Sequence, residues 1–65
     1  MRVLKLAYIL PRMNEAHWKA LQYVEKYGLE PAVDATRDLL EWGLVTRLDT
    51  VMLTTDLGDD LLEES

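Results

Sequence analysis

Leu39-Leu40-Glu41-Trp42-Gly43-Leu44-Val45-Thr46-Arg47 is where the chain changes its period. Up to Trp42 the apolar residues recur at helical spacing. Beyond Gly43 they give way to short extended pieces rich in Val, Thr and Leu. A single glycine makes the turn between the two regimes. Further on, Thr55-x-x-Gly58-x-x-Leu61-Leu62 reads as the start of another helix.

Downstream of Gly43 the pattern predicts strands over Leu44–Leu48 and Val51–Thr55, with Asp49-Thr50 at the bend. Asp-Thr is not the strongest two-residue hairpin signal, which leaves room for a loop of three or four residues. Two strands alone are marginal in water and need a helix or a third strand behind them. Thr55 can cap a last helix, whose positive N-terminal end suits Asp56, Asp59 and Asp60. Glu63 and Glu64 sit at the wrong end for the dipole, so the pattern predicts fraying there.

Upstream, Pro31 fits the first position of a helix running to Trp42. Ala32, Ala35, Thr36, Leu39, Leu40 and Gly43 form a stripe of small and apolar groups along it. Asp34, Arg37, Asp38 and Glu41 lie almost opposite, and Trp42 falls at the stripe's edge, covering the core from the side. Before this, Asn14 reads as an N-cap with Met13 and Trp18 as a hydrophobic staple. His17, Ala20, Leu21, Val24 and Tyr27 then share one helical face, opposite Glu15, Lys19, Gln22 and Lys26. Gly28 closes that helix in the left-handed conformation, with Leu29 as its hydrophobic follower. Arg2–Leu10 is read as a helix ended by Pro11, although so short an apolar run also suits a buried strand.

Taken together, helix, Gly43-Leu44-Val45-x-Arg47, short hairpin and Thr55-x-x-Gly58-x-x-Leu61-Leu62 resemble the end of a winged-helix domain of the MarR/PadR type. The resemblance covers about a third of the chain. It implies one α+β domain over residues 1–65: a compact winged helix-turn-helix-like fold of three helices, a β-hairpin wing and a short C-terminal helix. Two fits to the family exist. In the favoured one, Arg2–Leu10, Asn14–Tyr27 and Pro31–Trp42 are the three helices, the last two forming the helix-turn-helix around Gly28. In the other, the helix carrying Trp18-x-x-Leu21 is the family's early helix and one helix of the motif has been lost. Asp34 departs from the family, because it falls where a recognition helix turns an apolar residue inward.

Composition bounds the function. A chain of 65 residues forms one small domain and buries only about 60% of the surface its unfolded form exposes. It has no cysteine, hence no disulfide and no zinc-binding Cys/His pattern, which suits a cytoplasmic protein. The apolar run Val3–Leu10 is far shorter than the ~20 residues that span a bilayer, and no small-residue cleavage site follows it. It leaves too little polar surface for an exposed helix, so Leu4, Leu6, Tyr8 and Leu10 are candidates for self-association as a homodimer.

Charge is divided unevenly within a net of −5. Residues 1–29 carry five bases against two acids, and residues 30–65 carry two bases against ten acids. The family resemblance makes Pro31–Trp42 the recognition helix, yet there Asp34, Asp38 and Glu41 surround Arg37 alone. A helix that reads DNA presents Arg, Lys, Asn or Gln to base edges and cations to phosphates. The wing tip Leu48-Asp49-Thr50-Val51 has no cation either. Asp34, Arg37, Asp38 and Glu41 are therefore candidates for contact with a protein partner, beside the blander reading of a solvated face.

Catalysis has little support in the sequence. His17 is the only histidine and lies among Ala20, Leu21 and Val24, where a packed ring is expected. The acids of the last helix lack the spacing and turn glycine of a calcium-binding loop, and no phosphate-cradling glycine loop is present. A non-enzyme without cofactor or metal is the expectation. Two functions fit it: a winged-helix-like interaction module, or a DNA-binding regulator that uses Arg2, Lys5, Arg12, Lys19 and Lys26 from a dimer.

Overall fold

A computed structural model describes residues 2–64 of the backbone and the side chains of residues 5–64. The order is α1 (Arg2–Ile9), a 3-10 turn (Leu10–Arg12), α2 (Glu15–Tyr27), α3 (Ala35–Glu41), β1 (Val45–Leu48), β2 (Val51–Thr54) and α4 (Asp56–Glu64). Each helix and the hairpin contribute to a single core: Ile9 from α1, Leu21 and Val24 from α2, Leu39 from α3, Met52 from β2 and Leu61 from α4. Leu44, between α3 and β1, is fully buried in the same cluster. The chain is thus a compact α+β fold of four helices and one antiparallel hairpin.

Both helices with glycine ends stop where the sequence predicts. Gly28 (φ 66°) and Gly43 (φ 75°) take left-handed conformations that a Cβ would strain. At the end of α3, Gly43 N–H donates to Leu40 C=O and Leu44 N–H to Leu39 C=O, the paired bonds of a Schellman motif. The chain enters β1 one residue later. The hairpin turn is the two residues Asp49-Thr50, shorter than the three or four considered above, because Leu48 pairs with Val51 and Asp49 takes φ 58°. Aspartate tolerates that left-handed geometry better than most side chains.

The Thr-x-x-Gly signal docks α4. Thr55 Oγ1 accepts the N–H of Gly58 and donates to Gly43 C=O, while Thr55 N–H donates to Leu44 C=O. A Cβ on Gly58 would lie 2.1 Å from the Leu44 carbonyl oxygen, so the helix and the junction touch backbone to backbone. Helix α4 runs from Asp56 to Glu64, with Leu61 buried and Leu62 packed against the core.

Four readings need correction. Helix α3 begins at Ala35, not Pro31: the Thr36 hydroxyl donates to Pro31 C=O at 2.9 Å, and bends occupy the intervening residues. Consequently the link from α2 to α3 spans residues 28–34, and no tight turn around Gly28 joins the two. Its start is fastened to the hairpin, where Met52 N–H donates to Gly28 C=O at 3.0 Å. Ala32, Tyr27 and Leu29 are exposed, the first because it precedes the helix, the others because α2 ends before any element covers them. The first segment is the helix expected ahead of Pro11, but it ends at Ile9 and not Leu10, and Pro11 lies in the 3-10 turn that follows.

Candidate functional site

The outer face of α3 is built on a contact with the start of α2. Asn14 caps α2, its Oδ1 accepting the His17 N–H at 3.2 Å, while the His17 ring accepts the Asn14 N–H at Nδ1, 3.1 Å away. Since Nδ1 receives a donor, Nε2 carries the proton and donates to Asp38 Oδ2 at 2.8 Å. The ring is buried and lies 5.0 Å from that of Trp42. His17 is a packed residue that joins two helices, in a position the usual Glu or Gln of a capping box would fill.

That contact divides the predicted partner-binding set. Asp34 is exposed just before α3, where its side chain makes no cap; Arg37 and Glu41 are exposed along the helix. These three border a shallow cleft of about 570 Å³ against the hairpin, together with Glu30 and Arg47. Asp38 lines a neighbouring cleft with His17 and is half-buried. Asp34 and Arg37 line both clefts, so the four residues remain neighbours while Asp38 alone is bonded to His17.

Glu30 and Arg47 close the cleft as a two-pronged pair, Nε to Oε1 at 2.6 Å and Nη2 to Oε2 at 2.9 Å. The bonds from Arg47 hold the Glu30 carboxyl below the usual carboxylate range, and those same bonds hold the guanidinium above its ordinary value. The hairpin's cation is thereby turned back onto its own fold.

The predicted self-association set is also split. Leu6 turns toward the core, whereas Tyr8 and Leu10 are 55% and 38% exposed. Leu4 lies outside the residues whose side chains are described. At about 100° per residue, Leu6 and Tyr8 cannot share a face, and Ile9 takes the buried position.

Two surfaces were missed in the sequence. On the hairpin, Thr46 pairs with Leu53 and Leu48 with Val51, so all four share a face; Leu48 is 60% exposed, Leu53 43% and Val51 39%. The alternation was visible, but which face met the core was not. The second surface is a groove of about 650 Å³ between α1 and the end of α3, lined by Lys5, Tyr8, Ile9, Arg12, Glu41 and Trp42. Its signal was the helical spacing of Lys5, Tyr8 and Arg12.

Among the described residues no group of three or more His, Cys, Asp or Glu side chains is placed to hold a metal ion. No helix among them is long and apolar enough to cross a membrane. Comparison with protein-family profiles, curated proteins and solved structures finds no match to this chain.

Proposed function

We propose that this chain is a small non-catalytic interaction module of winged-helix type, which binds another protein through its hairpin and the adjoining face of α3. The order helix, helix, helix, hairpin, helix supports the winged-helix reading. The observation that carries the function is the outer face of the wing. A hairpin that grips DNA offers cations to phosphates, whereas this one offers Leu48, Val51 and Leu53 and ties Arg47 to Glu30. Exposed apolar residues clustered on one face favour a protein partner, and Asp34, Arg37 and Glu41 add a charged rim.

The DNA-binding reading has its own support in the exposed bases Lys5, Arg12, Lys19 and Lys26 on α1, the following turn and α2. It calls for a homodimer formed through Tyr8 and Leu10. The two readings separate cleanly. Affinity capture from the host after nuclease treatment is expected to retain a partner that Leu53→Glu loses and that paired reversal of Asp34 and Glu41 weakens. Gel shifts over a salt series are expected to detect no duplex binding at physiological salt. Sub-micromolar, salt-sensitive binding to a selected duplex would overturn the proposal in favour of the regulator.

A further inference from the structure

The α1–α3 groove differs in charge from the rest of this acidic molecule. Lys5 and Arg12 lie seven residues apart in the chain and line the groove with Tyr8, and Trp42 lines it from the end of α3. Two other cations are paired, Lys19 with Glu15 at 3.1 Å and Arg47 with Glu30. Among the described residues neither Lys5 nor Arg12 meets a carboxylate. Arg12 instead lies 3.7 Å over the Tyr8 ring and donates to the Tyr8 carbonyl, which fixes its guanidinium at the groove's edge. Lys5 extends along the end of α3, its Nζ 3.9 Å from where a Cβ on Gly43 would stand. The result is a groove lined by two cations and two aromatic rings, with Arg12 stacked on Tyr8.

We infer that this groove takes an acidic amphipathic helix of a protein partner. Its carboxylates at i and i+7 meet Lys5 and Arg12, and an apolar side chain at i+3 or i+4 enters between Tyr8 and Trp42. Charge complementarity carries the choice, since Lys5 on α1 and Arg12 in the turn after it line one groove. Positions i and i+7 of a partner helix place two carboxylates on one face, about 10 Å apart. A volume of about 650 Å³ accommodates such anchoring side chains. A nucleic acid is disfavoured because Glu41 lines the same groove and the α3 face beside it carries Asp34, so a continuous polyphosphate meets repulsion that two placed carboxylates avoid. The inference rests on the protein-binding reading but names a different surface from the wing.

The test uses the full chain with Trp18→Phe, which leaves Trp42 as the only tryptophan. The probe is a capped alanine-based helical peptide with Glu at i and i+7 and Leu at i+3 and i+4. Titration by fluorescence and calorimetry is expected to give saturable binding with a blue shift of Trp42 emission. Lys5→Glu and Arg12→Glu, each checked for an unchanged circular dichroism spectrum, are expected to weaken it at least tenfold. Milder Lys5→Gln and Arg12→Gln should give smaller losses in the same order, and Lys26→Glu none. Absence of saturation up to millimolar peptide, or binding indifferent to both reversals, would overturn the inference. So would preference for a single-stranded or duplex oligonucleotide over the peptide through the same two residues. Leu53→Glu is expected to leave peptide binding intact, so failure here and failure of the wing as a protein site are read separately.

Discussion

The ends of α2 and α3 carry the same local signal and lead to different structures. Each closes on a left-handed glycine, Gly28 or Gly43. After Gly43 the N–H groups of Gly43 and Leu44 bond back to the helix, their carbonyls are taken by Thr55, and a strand begins at Val45. After Gly28 the chain does not re-enter a helix until Ala35, despite a proline well placed to start one at Pro31. There the carbonyl of Gly28 is taken by Met52, far along the chain, and that of Pro31 by the Thr36 hydroxyl. A helix end is a local event. Where the chain goes afterwards is not: the Gly43 carbonyl is taken by Thr55 and the Gly28 carbonyl by Met52, each from a later element.

The largest expected effect tests the Gly43 junction. Gly58→Ala drives a methyl group into the Leu44 carbonyl, which is backbone and cannot rotate away. A loss of about 3 kcal/mol or more is expected in a denaturant melt, at the severe end for overpacking. A loss below about 1 kcal/mol would mean that α4 lifts readily from the junction. The Gly28 junction is tested by Thr36→Val, which keeps the shape of a buried side chain but deprives Pro31 C=O of its donor. About 1–2 kcal/mol is expected, with faster amide exchange at Met52 if the linker loosens as a unit. Unchanged exchange there would make the two fastenings of the linker independent.

The smallest effect concerns the Glu30–Arg47 clasp, which is solvent-exposed. Because the folded Glu30 carboxyl sits below its ordinary value, its contribution is fully present above the unfolded value and is lost as pH falls through the folded one. Glu30→Gln should flatten that acid-side slope and slightly lower stability at neutral pH, where the pair contributes, while leaving stability unchanged at low pH. An NMR titration placing Glu30 at an ordinary glutamate value would show that the clasp does not hold the linker in solution.

The sequence located the functional surface less well than the fold. Asp34, Arg37 and Glu41 were legible as an exposed charged group, because helical spacing separates them from Ala35, Thr36 and Leu39. Asp38 was not separable from them, since its partner His17 comes from another helix and distance along the chain conceals the bond. Lys5, Tyr8 and Arg12 had the right spacing to share a surface, but the opposite wall comes from Trp42. In the self-association set Leu6 turns to the core while Tyr8 and Leu10 stay exposed, because an apolar run shows no periodicity until a neighbour selects its buried side.

What the sequence determined by itself was the set of elements and most of their ends: Asn14 as a cap, Gly28 and Gly43 as stops, Thr55 as the start of α4, and Val, Thr and Leu as strand formers. These are choices among backbone conformations, set by steric freedom and bonds within a few residues. Tertiary structure alone decided the late start of α3, the orientation of the hairpin and the assembly of the groove. Each depends on which remote group reaches a backbone carbonyl, or on which face meets an apolar neighbour. Burial and hydrogen-bond competition between distant segments set those outcomes, and neither is encoded in local spacing.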